Sequence, residues 1–273
     1  MKKTLFWILA VVITLGSAYY QRKTGPTHPK KVEFNLENKA IKFYLPRNGE
    51  SHEDRIVEVP FHDTSYIVKL NYRRFPSEES FTEREFKLQE DELIAYLPTQ
   101  PAAGKLEYYV SVINIDTKEI QETEHAVIRF KGKVPKWALI PHIFLMFIAM
   151  LLSNLAGLFA IGKINKHVFY GKLTLILLLL GGMIFGPIVQ YYAFGQAWTG
   201  VPFGWDLTDN KTLIAVLFWI VAVFGNRKNP KYRYTLIASI ILLLIYIIPH
   251  SLFGSELDYS SGKVVTGFIQ LFI

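Results

Sequence analysis

Residues Ala138–Gly162, ALIPHIFLMFIAMLLSNLAGLFAIG, decide the fold, because these 25 positions hold no charged side chain. A helix that rises 1.5 Å per residue needs roughly 20 apolar residues to cross a hydrocarbon core of ~30 Å. Three further apolar stretches follow at Phe169–Ala193, Leu207–Gly225 and Tyr234–Phe253. The sequence therefore predicts a four-helix transmembrane bundle over residues 136–253.

A fifth apolar stretch, Thr4–Tyr20, lies near the N-terminus behind Lys2 and Lys3. The small residues at positions 16–18 fit a signal-peptide cleavage site, whereas the length of the run fits an uncleaved anchor. We favour an N-terminal transmembrane anchor over residues 1–22, with a signal peptide as the alternative. Both interpretations send the following domain outward.

The charges of the loops predict the orientation of the spans. Loops that follow the first and third of the C-terminal apolar stretches are basic, whereas residues 194–211 hold a single lysine and two aspartates. Cytoplasmic loops carry the excess of Lys and Arg. We therefore expect a multi-pass protein of the inner (cytoplasmic) membrane, in contact with lipid, with a cytoplasmic N-terminus and with residues 30–134 on the outer, periplasmic side.

Residues 30–134 are predicted to form β-strands. Apolar and polar residues alternate with period two in stretches such as Val32–Leu36, Tyr66–Tyr72 and Leu106–Ile115, and turn residues separate them. Six or seven short strands in about 100 residues indicate a β-sandwich of immunoglobulin or fibronectin type. We expect this domain to bind a protein partner. The remaining residues, 254–273, are predicted to be an outer interfacial tail.

Composition excludes several classes of function. The chain has 273 residues, no cysteine and a formal net charge of +7. Without cysteine there are no disulfides, thiolate ligands or covalently attached haem. Because the basic residues lie beside apolar stretches, they fit membrane topology better than nucleic-acid binding. No nucleotide-binding loop, serine triad or zinc-peptidase helix is present, so the sequence predicts no catalytic residue.

Two histidines fall in predicted spans, near their outer ends. His142 follows Pro141, and His250 follows Pro249. Ionisable residues inside spans are costly and usually face the bundle interior. A pair of imidazoles on facing helices can ligate a haem iron or belong to another metal site. Alternatively, each imidazole hydrogen-bonds to water or backbone at the headgroup level. His167 is assigned to a basic cytoplasmic loop.

The outer loop at residues 194–210 contains Trp198, Trp205 and Asp206, spaced by glycines. Gly195–Trp198 gives a Gly-x-x-Trp start, and Trp205-Asp206 follows it shortly before a new apolar stretch. This pattern resembles the Trp-rich (WWD-like) segment of the haem-handling membrane proteins of cytochrome c biogenesis. In that family a histidine on each side of the segment ligates the haem iron.

The resemblance implies haem b as cofactor, His142 and His250 as its axial ligands, and Trp198, Trp205 and Asp206 as its platform. The role it implies is haem handling or membrane electron transfer. Three alternatives remain open. In the first, the loop is an ordinary interfacial aromatic belt, and the helix after it is capped by Thr208 or Asp209. In the second, the chain is an accessory subunit of a membrane complex, and its histidines are structural. In the third, acidic residues of the outer surface serve metal- or proton-coupled transport.

Overall fold

A computed structural model describes residues 2–36, 39–61, 63–250 and 254–266. The chain divides into two compact units. The helical unit comprises the residues up to Pro26 and Val134–Ser255, and the β-rich unit comprises Thr27–Lys133 and Glu256–Val265. The chain thus has mixed helical and β content, as the sequence predicts.

The helices of the helical unit match the apolar stretches of the sequence. They are α1 (Lys2–Thr24), α2 (Lys136–Ile161), α3 (His167–Leu178), α4 (Gly186–Phe194), α5 (Leu207–Gly225) and α6 (Tyr232–Ile247). A π-helical segment, Leu179–Phe185, joins α3 to α4 without a break. Within the described residues, four helices are long and apolar enough to cross a membrane: α1, α2, the continuous helix His167–Phe194, and α5. These findings indicate a membrane protein.

The last predicted span is shorter than expected. Helix α6 has 16 residues and ends at Ile247, whereas the sequence prediction extends to Phe253. Ile248 is extended (φ −67°, ψ 122°), because the residue before a proline is driven out of the helical region by the pyrrolidine ring, here that of Pro249. Residues 251–253 lie outside the described residues. His250 therefore follows a helix and does not lie within one.

Small residues let the helices of this unit approach closely. A Cβ on Gly157 of α2 would collide with Ser239 of α6, and one on Gly171 of α3 would lie 2.9 Å from the Trp219 ring of α5. Trp219 is fully buried at the centre of the apolar core that α2, α3, α5 and α6 share. Close packing of this kind is typical of helices that associate within a membrane.

The β-rich unit holds three sheets and a terminal hairpin. Its strands are β1 (Lys30–Leu36), β2 (Lys39–Leu45), β3 (Asn48–Glu50), β4 (Arg55–Val59), β5 (Tyr66–Arg74), β6 (Thr82–Glu85), β7 (Lys87–Gln89), β8 (Glu92–Leu97), β9 (Lys105–Asn114), β10 (Ile120–Glu122), β11 (Ala126–Lys131), β12 (Ser255–Asp258) and β13 (Lys263–Thr266).

The largest sheet has the order β3-β11-β9-β5-β6, and β10 also pairs with β9. Its pairs are antiparallel except β11 with β3, which is parallel. The two smaller sheets are β1-β2 and β4-β8-β7. Alternate residues of all three sheets enter one apolar core, which includes Phe34, Val57, Leu70, Tyr108 and Phe130. The period-two alternation of the sequence is the physical basis of that core.

The hairpin β12-β13 belongs to the β-rich unit from Glu256 onward. Leu257 N donates to Ala103 O at 3.0 Å, and Lys105 Nζ lies 2.7 Å from Glu256 Oε2 in a largely buried ion pair. The hairpin lies within residues 254–273, which the sequence analysis assigned to an interfacial tail without naming a strand there; residues 267–273 lie outside the described part.

Candidate functional site

His142 lies in the second turn of α2 and is oriented by the π-helical segment. Its Nδ1 is 2.8 Å from the carbonyl oxygen of Gly181. A carbonyl can only accept, so Nδ1 carries the proton and a neutral ring presents an unprotonated Nε2. A Cβ on Gly186 would lie 3.8 Å from this ring, in ordinary van der Waals contact, so Gly186 lies close to the ring.

His250 follows the end of α6 and is exposed on the helical unit. Its ring meets Tyr246 edge to face at a centroid distance of 6.5 Å. The imidazoles of His142 and His250 are close enough to interact electrostatically. About 100 residues separate the two histidines in sequence, and the described contacts of each ring are with other residues, Gly181 for His142 and Tyr246 for His250.

The residues of the predicted platform have three different environments. Trp205 is 80% exposed, and the neighbouring Phe203 is 82% exposed. Trp198 is half-buried, and its Nε1 donates to Val201 O at 3.2 Å. Asp206 is only 4% exposed. The loop therefore presents Phe203 and Trp205 outward, while Trp198 and Asp206 belong to its internal structure.

Asp206 is the N-cap of α5. Its carboxylate accepts from the backbone N–H groups of Thr208 (2.8 Å) and Asp209 (3.4 Å), which have no partner within the helix. Ser255 Oγ is 3.4 Å from the second carboxylate oxygen. The capping residue is thus neither Thr208 nor Asp209, the two that sequence reasoning named. Asp206 therefore fixes the end of the loop to the start of α5.

Asp209 holds the loop through Thr199, a role that sequence reasoning missed. Asp209 Oδ2 accepts from Thr199 N (2.6 Å), Thr199 Oγ1 (3.0 Å) and Gln190 Nε2 (3.0 Å). A Cβ on Gly200 would lie 2.7 Å from Asp209 Cβ, so this close approach requires glycine. The available signal was an acidic residue ten positions after Thr199, but the sequence does not say which backbone amide of the loop the acid contacts.

His167 is fully buried at the start of α3, not free in a basic loop. Its Nδ1 is 2.8 Å from Thr235 Oγ1, which also accepts from Asn226 Nδ2 at 3.1 Å. The ring contacts that of Tyr232 at a centroid distance of 4.8 Å. These contacts tie α3 to α5 and α6 and assign His167 to packing of the helical unit.

The β-rich unit carries a polar cluster centred on Glu107. Its carboxylate accepts from His125 Nδ1 (2.8 Å) and Arg73 Nε (2.8 Å), and the His125 ring stacks on Tyr109 at 4.5 Å. Burial raises the pKa of the Glu107 carboxyl, but the hydrogen bonds from His125 and Arg73 outweigh it, so the pKa lies below the ordinary value.

Glu50, His52 and Glu53 form a second polar group on the β-rich unit. One possible ligand atom from each lies within 4.8 Å of the others, and among the described residues no other such trio is found. His52 Nε2 and Glu50 Oε2 are 3.3 Å apart. All three side chains are exposed or half-buried, so an ordinary surface ion pair accounts for the group.

Comparison of the chain with protein-family models, with curated proteins and with solved structures finds no match.

Proposed function

We propose that this chain is an integral membrane haem-binding protein whose axial ligands are His142 and His250. Haem handling of the cytochrome c biogenesis type and membrane electron transfer are the roles that fit such a site. The observation that carries the proposal is the orientation of His142: Nδ1 is held by Gly181 O, while Nε2 has no hydrogen-bond partner among the described residues. A ring nitrogen fixed by a backbone carbonyl is the usual support of a metal-ligating histidine.

The donor set fits haem b. Two neutral imidazoles supply bis-histidine ligation, and the absence of cysteine in the sequence excludes a covalent thioether attachment. Among the described residues, neither His142 Nε2 nor the ring nitrogens of His250 have a hydrogen-bond partner, which leaves them available to an iron. Bound haem would supply one-electron chemistry or be cargo, and the protein's part would be to orient the two imidazoles.

We propose the aromatic residues Phe203 and Trp205 as the apolar surface for a porphyrin edge. Both are large and more than three-quarters exposed, and Asp206 and Asp209 fix the loop that carries them. Flat aromatic side chains offer contact area at low entropic cost. In this proposal Trp198 and Asp206 are supporting residues, unlike in the platform that the resemblance implies.

The wider setting is part of the same proposal. Four apolar helices and the basic loops favour a multi-pass protein of the cytoplasmic membrane with a cytoplasmic N-terminus. The β-rich unit would then be periplasmic, and its three sheets around one core favour an immunoglobulin-like sandwich that binds a partner. The helical unit would form a transmembrane bundle.

An accessory subunit of a membrane complex is the second candidate. The exposure of Phe203 and Trp205 favours it, because large aromatic residues are enriched in protein interfaces. The transport hypothesis has less support. The carboxylates of Asp206 and Asp209 already accept hydrogen bonds from their own loop and helix, so they are poor candidates for a site that takes up ions.

An absorbance titration of the purified full-length protein with haem tests the proposal. We expect a Soret band and the low-spin spectrum of bis-histidine haem. His142→Ala and His250→Ala should each abolish the low-spin spectrum and weaken binding at least about tenfold. A protein that takes up no haem under these conditions refutes the proposal.

His142→Asn is the matched control for a structural role. The asparagine amide can place its NH₂ where Nδ1 lies and keep the hydrogen bond to Gly181 O, but it has no counterpart of Nε2. If His142 is a ligand, Asn should keep the folding stability and lose the low-spin spectrum. If the asparagine variant keeps both the folding stability and the low-spin spectrum, His142 serves only the packing of α2, and this result supports the accessory-subunit hypothesis.

A further inference from the structure

Lys211 is the most unusual charge in the helical unit. It lies in the first turns of α5, and it is only 4% exposed. A buried ammonium is costly unless its charge and its three N–H groups are matched. The position is also opposed by the α5 dipole, since cations are disfavoured near a helix N-terminus. Something other than α5 must therefore stabilise this ammonium.

The end of α6 supplies part of that stabilisation. Lys211 Nζ donates to Ile248 O at 3.0 Å and to Pro249 O at 3.3 Å. These carbonyls lie just beyond α6, where the partial negative charge of its C-terminus favours a cation. Gln21 of α1 completes this end with hydrogen bonds to Tyr246 O (2.5 Å) and Ile248 O (3.4 Å).

The charge of Lys211 has no direct counter-ion. Among the described residues, no carboxylate forms an ion pair with its Nζ. Asp206 is within electrostatic range, but its oxygens accept from the α5 backbone and from Ser255. Two of the three N–H groups are used, so the third is left for an acceptor that the described residues do not supply.

The place of this free N–H is informative. Lys211 donates hydrogen bonds to the carbonyls of the two residues that immediately precede His250, and its side chain is within electrostatic range of the His250 ring. A ligand held by His250 therefore has the ammonium beside it. An anionic oxygen is the acceptor that would match both the charge and the free N–H, because hydrogen bonds between charged groups are the stronger ones.

We infer that the ligand of this site carries a carboxylate and that Lys211 Nζ binds it next to His250. The inference rests on the proposed function, because haem b bears two propionates that can take this role. Lys211 then has two tasks: it fixes the chain at Pro249 through the carbonyls, and it selects a porphyrin with free acid groups over one without.

Haem and haem dimethyl ester, titrated into the full-length protein in detergent, separate these tasks. The ester keeps the iron and the ring but has no carboxylate. We expect wild type to bind haem about 10- to 100-fold more tightly than the ester, the range of a hydrogen bond between charged groups. Lys211→Met should bind haem and the ester equally, each with the affinity that wild type has for the ester. Lys211→Arg should still bind haem more tightly than the ester.

Lys172→Met is the control, since Lys172 is exposed on α3 and should leave the preference unchanged. If Lys211→Met does not fold, the affinities of wild type and of Lys211→Arg for haem and for the ester still test the inference. Equal affinity of wild type for both porphyrins, with a bis-histidine spectrum, overturns the carboxylate inference and leaves the proposed function standing; that is the result expected if a lipid phosphate occupies Lys211. Absence of binding by either porphyrin overturns both.

Discussion

Replacing Asp209 with alanine should free the aromatic loop from the start of α5. The carboxylate is 5% exposed and accepts from Thr199 N, Thr199 Oγ1 and Gln190 Nε2. After the change, Thr199 Oγ1 and Gln190 Nε2 still bond to each other at 2.8 Å. The Thr199 N–H is left without an acceptor. Loss of this charge-assisted bond, with part of the two weaker ones, costs about 2–4 kcal/mol.

Amide hydrogen exchange measures this cost where it arises. If exchange reports the opening equilibrium of the loop, 2–4 kcal/mol corresponds to roughly 30- to 700-fold faster exchange at Thr199. Asp209→Asn keeps an acceptor oxygen but loses the charge, so we expect about 1 kcal/mol and roughly fivefold faster exchange. Asp206→Asn should change little, because asparagine caps helices as well as aspartate. An exchange rate at Thr199 that Asp209→Ala leaves within about threefold of wild type would refute the role of Asp209.

Two further predictions concern stability. Gly157→Ala should lower the melting temperature of the detergent-solubilised protein, because the new Cβ would collide with Ser239; the expected loss of folding free energy is about 1–3 kcal/mol. Gly16→Ala is the control and should leave the melting temperature unchanged, because nothing lies within 4 Å of its Cβ. The lowered pKa of Glu107 means that its contribution to stability is full above the ordinary value of 4.5 and is lost as pH falls through the folded value. Unfolding measured from pH 7 downward should show this loss in wild type, and Glu107→Gln should remove that part of the pH dependence; identical profiles would contradict it.

Much of the fold follows from patterns that are local in sequence. The apolar lengths locate α1, α2, α5 and the continuous helix His167–Phe194, because hydrocarbon thickness sets a simple threshold. Strand alternation locates most of the β-rich unit for an equally local reason. The end of α6 at Ile247 could also have been predicted, because a proline disfavours helix at the residue before it, here Ile248. The sequence prediction extended the span to Phe253 because the residues around Pro249 are also largely apolar.

The site is less accessible to sequence reasoning because its contacts are not local. The Trp-Asp pair drew attention to Asp206, yet a carboxylate just before a helix is more simply an N-cap, and this one is buried in that role. The acid that holds the loop, Asp209, and the ammonium beside His250, Lys211, depend on which backbone groups from other segments meet them. Periodic patterns in the sequence do not predict such contacts between distant segments.

Gly181 O is a carbonyl that accepts two hydrogen bonds. The Gly186 N–H donates to it across the wider π turn, and His142 Nδ1 donates to it from α2. The next residue, Pro187, has no N–H and cannot donate to the preceding turn. An asparagine amide in place of the histidine could donate to Gly181 O from the same position. What only imidazole adds is a second nitrogen on the far side of the ring, fixed in direction by the first, and ligation is the use that we propose for it.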